Sequence, residues 1–229
     1  MITSILSGGY AHPFAETGGI LKEIAQDCGC LIDMYDSIAD PLDLSGVDVL
    51  IVNGLWWSMT QHEKYAPDRD AWAFEMTDQQ MDEIESFVHE GGALYAVHTS
   101  VICFDTQPRW KTLLGGGWTW GHSHHPPLGN VDVTISAPGS HLGLEAFAVQ
   151  DEVYHHLDPA SDAAVLATSD TGEGPQPVAW VRRAGDGYVA VNTLGHDARS
   201  MNVPGHRLLM EKQLYWLVEQ DANGEGVFS

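Results

Sequence analysis

Histidines follow several predicted strands of this 229-residue chain, and imidazole can bind a metal ion or transfer a proton near neutral pH. His98 comes directly after the apolar run 93–97, and His12 and His196 follow other strand-like segments. In an open α/β sheet, ligands bind at the edge formed by the carboxyl ends of the strands. We therefore expect these three histidines to lie at that edge. Taken alone, His98 is equally well interpreted as a buried histidine that is hydrogen-bonded to a neighbouring loop.

A loop rich in glycine and proline holds three more histidines, His122, His124 and His125, which form the densest cluster of potential metal ligands in the sequence. Their spacing matches no standard zinc finger, although imidazole suits Zn, Cu, Fe or Ni. We expect His122 to join the histidines at the strand ends, and His124 and His125 to be solvated.

The segment 151–156 reads Asp-Glu-Val-Tyr-His-His and places two carboxylates, a phenol and two imidazoles within a few residues. Such a group is typical of acid–base or metal-binding sites. Because acidic residues are common throughout this chain, a chance cluster is the competing interpretation.

The long segment 55–76 is rich in aromatic residues. Loops of this length inside a compact domain are usually functional or mobile. The aromatic side chains could pack over the core or line a cleft of the size of a sugar, and packing is slightly favoured. The six residues concerned are Trp56, Trp57, His62, Tyr65, Trp72 and Phe74.

Alternating strand and helix patterns predict one α/β domain over residues 1–229, with a mostly parallel central sheet. Thr77 and Gln80 predict a capping box at the start of one helix. Segments 178–182 and 188–192 predict a β-hairpin towards the C-terminus. Residues 221–229 are expected to form a frayed tail.

The charge of the chain limits its partners. It has 10 Lys and Arg against 32 Asp and Glu, a formal net charge of -22, and protonating all 12 histidines would leave it negative. Nucleic acid and anionic membrane surfaces are therefore not expected partners. Three cysteines without framework spacing favour a reducing compartment, and the sequence shows no leader-like or membrane-spanning segment. We predict a cytoplasmic protein.

Five short stretches, in this order, resemble the ThuA-like (trehalose utilisation) family. The resemblance covers nearly the whole chain and implies a flavodoxin-like three-layer sandwich, related to class I glutamine amidotransferases. The stretches are 92–98, 114–122, 151–154, 177–180 and 194–197.

The amidotransferase relatives place a nucleophilic cysteine at the sharp turn after the strand that corresponds to 93–97. This chain has His98 at that position, and Cys103 lies five residues further on. A thiol displaced that far cannot use the neighbouring N–H groups to stabilise an oxyanion. Amidotransferase chemistry is therefore not expected.

The predicted site brings His12, His98, His122, Glu152 and His196 together at the carboxyl edge of the sheet. The four histidines are the candidate metal ligands, with Zn as the first choice of ion and no nucleotide cofactor, while His98, Glu152 and His196 are the candidate catalytic residues. Candidate substrate-binding residues are His12, Trp56, Trp120, Asp151, Tyr154, Trp180 and Asp197.

The resemblance implies disaccharide catabolism alongside dehydrogenases that produce 3-keto sugars. A 3-keto group acidifies the C2 proton, so a base and a metal ion could drive elimination or isomerisation. A metal-assisted hydrolase of unoxidised substrates and a sugar-binding module without catalysis are the alternatives. The expected partner is a small carbohydrate, and a homo-oligomer is possible.

Overall fold

A computed structural model describes residues 1–39 and 42–223 of the chain. In these residues nine strands form one sheet in the order β2-β1-β3-β4-β9-β8-β7-β5-β6. The strands are β1 (Ile2–Gly9), β2 (Leu31–Tyr35), β3 (Val49–Leu55), β4 (Ala93–Val97), β5 (Gly129–Ile135), β6 (Phe147–Asp151), β7 (Ala164–Asp170), β8 (Pro175–Ala184) and β9 (Gly187–Asn192).

One half of the sheet, β2-β1-β3-β4-β9, is parallel and has the strand order of flavodoxin-like folds. Every residue of β3 and of β4 is buried, as expected for parallel strands that are covered on both faces. Successive side chains of a strand point to opposite faces, so Val49 and Ile51 join one core while Leu50 and Val52 join the other.

The other half, β9-β8-β7-β5-β6, is antiparallel, so the sheet is mixed and the prediction of a mostly parallel sheet is wrong. The connection from β8 to β9 makes the first antiparallel pair, and β7, β5 and β6 extend the sheet from β8 with further antiparallel pairs. Only Gly185 and Asp186 separate the paired residues Ala184 and Gly187, and a connection this short can join only antiparallel strands. The predicted hairpin itself is confirmed.

Helices cover both faces of the sheet. Residues of α1 and α7 pack in one core, and residues of α3 and α4 pack in the other. The helices are α1 (Phe14–Asp27), α2 (Arg69–Trp72), α3 (Asp78–His89), α4 (Pro108–Leu114), α5 (Ala137–His141), α6 (Ala198–Met201) and α7 (Pro204–Asn223), with 3₁₀ helices at Glu63–Tyr65 and His98–Val101.

The predicted capping box of α3 is confirmed, because the Thr77 side chain accepts a hydrogen bond from the backbone of Gln80 and the Gln80 side chain accepts one from the backbone of Thr77. Of the expected frayed tail, residues 221–223 belong to α7, and residues 224–229 lie outside the described part of the chain. No helix within the described ranges is long and apolar enough to cross a membrane.

Candidate metal and substrate site

Four potential ligands meet at one edge of the sheet. His12, His98 and His196 follow β1, β4 and β9, and Glu152 follows β6, whose carboxyl end lies at the same edge. One ligand atom from each of the four side chains can be chosen so that all lie within 4.8 Å of one another. Three imidazoles and one carboxylate form a donor set that suits Zn²⁺ and similar divalent ions.

His98 occupies a sharp turn at the end of β4. Its φ of 49° lies in the left-handed region, which a non-glycine residue rarely adopts, and its side chain is 1% exposed. The ring is oriented by the carbonyl oxygen of Thr193, which lies 3.0 Å from Nδ1. Because that carbonyl can only accept, Nδ1 carries the proton and Nε2 keeps its lone pair for the site.

The environment keeps His98 uncharged. Burial lowers its pKa, although the nearby Asp151 carboxylate opposes this effect. Two groups face Nε2, the Tyr154 hydroxyl at 3.3 Å and Glu152 Oε2 at 4.0 Å. Burial also raises the pKa of Tyr154 well above its usual value, so the phenol stays protonated and serves as a hydrogen-bond donor.

His12 has a similar arrangement. Its Nδ1 lies 3.3 Å from the carbonyl oxygen of Tyr10, which leaves Nε2 free, and its ring centre is 5.3 Å from that of His98 and 5.1 Å from that of His196. Burial and the neighbouring His98 lower the pKa of His12 to about 4. His12 is therefore neutral at physiological pH, as a metal ligand must be.

Glu152 and His196 form a close pair, with Glu152 Oε2 3.5 Å from His196 Nδ1. Burial raises the pKa of Glu152, but the contact with His196 and the nearby His125 and His98 outweigh it and lower the pKa to about 2. The same contact with Glu152 raises the pKa of His196, although burial opposes it. The pair thus combines a carboxylate with an imidazole of increased basicity.

Asp151 holds this arrangement in place and does not line the cleft, contrary to its expected substrate-binding role. It is 1% exposed, and its Oδ2 accepts hydrogen bonds from the backbone of Gly195 at 2.7 Å and from the Ser200 hydroxyl. Its Oδ1 accepts from the backbone of Glu152 at 2.8 Å and of His196 at 3.3 Å. A buried carboxylate requires such partners, so Asp151 joins the end of β6 to the loop after β9.

His122 does not join the four ligands. Its ring stacks on His156 with centres 4.8 Å apart, and its Nε2 lies 3.8 Å from Asp158. His125, expected to be solvated, faces the site instead, with Nδ1 3.7 Å from Glu152 Oε1. The two histidines differ because His122 lies in a turn, while His125 follows the bridge that His124 forms with His155.

An aromatic cleft of about 500 Å³ opens beside the four ligands, a volume typical of small-molecule sites. Trp57, Tyr65 and Trp120 pack against one another in its wall, with Trp57 and Trp120 stacked at 6.5 Å. Trp118 and Tyr154 form a second part of the wall, with ring centres 5.4 Å apart. The structure thus places three of the expected substrate-binding residues in the cleft, namely His12, Trp120 and Tyr154.

Three other expected substrate-binding residues lie outside the cleft. Trp56 is buried in the core against Phe104, and its neighbour Trp57 lines the cleft instead. Trp180 is fully buried and donates its indole N–H to the carbonyl oxygen of Leu114. Asp197 caps the N-terminus of α6 and is paired with Arg199. All three side chains therefore have a structural role in the protein.

Cys103 does not occupy the turn after β4, where His98 stands. Its buried Sγ is 3.1 Å from the carbonyl oxygen of Gly54 and 3.3 Å from the backbone nitrogen of Trp56. Burial raises the pKa of this thiol to about 12. The thiol is therefore protonated and enclosed, which is the opposite of an activated nucleophile.

We predict that Cys103 resists alkylation in the folded protein. The pKa of about 12 is about four units above pH 8, so almost none of the Cys103 side chain is thiolate at that pH. Iodoacetamide should therefore modify it only after the protein is unfolded in urea. Mass spectrometry of peptides from native and unfolded protein measures this directly. Rapid modification of Cys103 in the folded protein would contradict the assigned environment.

We predict that Asp151→Asn lowers the free energy of unfolding by about 2–4 kcal/mol. In the variant an NH₂ group replaces one of the two carboxylate oxygens. The N–H or hydroxyl groups that donate to that oxygen in the wild type would then face another donor. Urea unfolding measures the change, and Asp132→Asn, at an exposed position on β5, is the matched control with an expected change within about 0.5 kcal/mol. Equal stability of the two variants would show that Asp151 does not hold the loops.

The family model for trehalose utilisation (ThuA) matches residues 5–217. A glutamine amidotransferase-like fold is general in that family. No protein among the curated sequences matches this chain.

Several solved structures have a similar fold. A ThuA-like protein from Parabacteroides merdae has a TM-score of 0.75 at 15% identity, covering 95% of this chain and 89% of that one. A ThuA-like protein from Bacteroides uniformis has a TM-score of 0.69 at 16% identity, with 96% and 93% covered. A β-galactosidase from Bacillus circulans has a TM-score of 0.61 at 16% identity, but the match spans 96% of this chain and only 31% of that one. Because its family model spans nearly the whole sequence, this chain belongs to the ThuA (trehalose utilisation) family.

Proposed function

We propose that this protein is a carbohydrate-processing enzyme that uses a divalent metal ion, Zn²⁺ as first choice, on a glycoside or disaccharide carrying a 3-keto group. The observation that carries the proposal is the meeting of His12, His98, Glu152 and His196 within ligand distance beside an aromatic cleft. Membership of the trehalose utilisation family supports a sugar as the substrate class.

The cleft has the composition that a sugar requires. Trp57, Tyr65 and Trp120 offer ring faces on which the C–H faces of a pyranose can pack. His125 and Lys64 supply polar and charged groups for the hydroxyls on the remaining sides. The cleft volume of about 500 Å³ accommodates one or two sugar rings.

His12, His98 and Glu152 are assigned to hold the metal ion. Two of the three have the orientation that ligands usually have, because His12 and His98 each direct Nδ1 at a backbone carbonyl and turn Nε2 towards the site. When bound, a divalent ion there polarises the carbonyl group of the substrate.

His196 is assigned as the base. It is more exposed than His98 in the same cluster, with 27% of its side chain accessible against 1%, and it is paired with the Glu152 carboxylate. His196 takes the proton from C2, the C2–H electron pair forms the C1=C2 double bond, and the C1–O bond to the departing sugar breaks. His125, on the other side of Glu152, protonates the departing oxygen.

We predict that the variants of this site separate into two groups. His98→Ala removes a ligand and should lower both metal content and turnover, whereas His196→Ala removes the base and should lower turnover by about 10²–10⁴ while metal is retained. Elemental analysis and an assay with a chromogenic 3-keto glucoside measure the two quantities. His141→Ala, at an exposed position on α5, is the matched control and should change neither.

Full metal content and full turnover in His98→Ala would show that this site assignment is wrong. Turnover of the unoxidised glucoside at the rate of the 3-keto substrate would instead favour direct hydrolysis. An unsaturated keto sugar among the early products supports elimination. Sugar binding without metal dependence or turnover would favour a binding module.

A further inference from the structure

A second cluster of histidines lies on three segments next to the cleft. We define the histidine patch as His122, His124, His155, His156 and Glu173. The segments are the loop after α4, the residues after β6, and the turn between β7 and β8. The assigned metal site and the aromatic wall use none of these five residues as ligand, base or ring face.

Backbone contacts bring the first two segments together. The backbone nitrogen of His155 donates to the carbonyl oxygen of His124 at 2.8 Å, as an isolated antiparallel bridge. The Ser123 hydroxyl donates to the carbonyl oxygen of His156 at 2.9 Å. His124 and His156 are thus held as neighbours, with ring centres 5.4 Å apart.

Glu173 completes a set of metal-ligating atoms. Its Oε1 lies 3.4 Å from Nε2 of His124. One ligand atom each from His124, His156 and Glu173 can be chosen so that all three lie within 4.8 Å of one another. Two imidazoles and a carboxylate at such separations are the protein ligands of many zinc sites.

The buried ring of His155 is an independent observation that points to a ligand. Its side chain is 1% exposed, and its Nδ1 has no hydrogen-bond partner in the described part of the chain. That nitrogen lies 3.8 Å from Oε2 of Glu173, and Nε2 of the same ring lies 2.7 Å from the Thr171 hydroxyl. In the tautomer that carries its proton on Nε2, the ring donates to Thr171 and Nδ1 presents a lone pair towards Glu173. A buried nitrogen without a partner is costly unless something binds it.

We propose that His124, His156 and Glu173 bind a divalent transition-metal ion of the Zn²⁺ class, with Nδ1 of His155 as an additional nitrogen that lies 3.8 Å from Glu173. This site is separate from the one in the cleft and does not depend on the proposed enzymatic function. Metal bound here links the three segments to one another. His124 lines the cleft together with Trp120 and His125 of the same loop, so the ion also stabilises that wall.

The test is a titration of chelated, metal-free full-length protein with Zn²⁺, followed by calorimetry. The double variant His124→Ala/His156→Ala should bind one equivalent fewer than the wild type. Glu173→Gln, which keeps its shape on an exposed turn, should weaken the same binding step at least about tenfold. His89→Ala, an exposed histidine on α3, is the matched control and should bind as the wild type does.

Two further measurements keep this result distinct from the cleft site. His12→Ala/His98→Ala should lose a different equivalent, and combining both double variants should abolish binding. If the histidine patch binds zinc and the cleft site does not, His124→Ala/His156→Ala alone removes the bound zinc, and His12→Ala/His98→Ala binds as the wild type does. Melting temperatures without metal show whether each variant folds. Wild-type stoichiometry and affinity in both His124→Ala/His156→Ala and Glu173→Gln would overturn the proposal.

Discussion

The buried carboxylate of Asp151 is the interaction on which the geometry of the cleft depends. It stands at the end of β6 and accepts hydrogen bonds from the backbone of Gly195 and His196, in the loop after β9. Three strands separate β6 from β9 in the sheet, so sheet hydrogen bonds alone do not align their ends. Because a buried carboxylate is costly unless its oxygens are bonded, the two loops are held together. The neighbouring side chains Glu152 and His196 are thereby kept 3.5 Å apart.

Much of the fold can be predicted from local patterns. The capping box at Thr77, the hairpin of β8 and β9, and the buried parallel strands each have a signal within a few residues. The direction of β5 and β6 has only a weak signal, which the prediction does not use: every second residue is exposed, as is typical of antiparallel strands with one solvated face. The strand β7 does not alternate and lacks this signal. The pairing of these three strands is set by contacts between segments far apart in the chain, and the prediction of a mostly parallel sheet failed there.

The site was predicted best where it depends on the parallel strands. His12, His98 and His196 follow strands whose carboxyl ends share an edge, so their meeting follows from topology. The choice between His122 and His125 depends on the direction in which an irregular loop presents its side chains. The bridge between His124 and His155 constrains that direction. The two residues are 31 positions apart in the sequence, so the bridge leaves no local pattern. The same difficulty explains why Trp57, and not its neighbour Trp56, lines the cleft.

We propose that His12, His98 and Glu152 hold a single divalent ion at this edge of the sheet, with His196 beside it as the base. Anomalous X-ray diffraction at the zinc absorption edge, on crystals of the protein loaded with Zn²⁺, tests it most directly. We expect an anomalous peak within ligand distance of Nε2 of His12, Nε2 of His98 and the Glu152 carboxylate, with His196 beside it. Zinc bound only elsewhere, with these four side chains unchanged, would contradict the account.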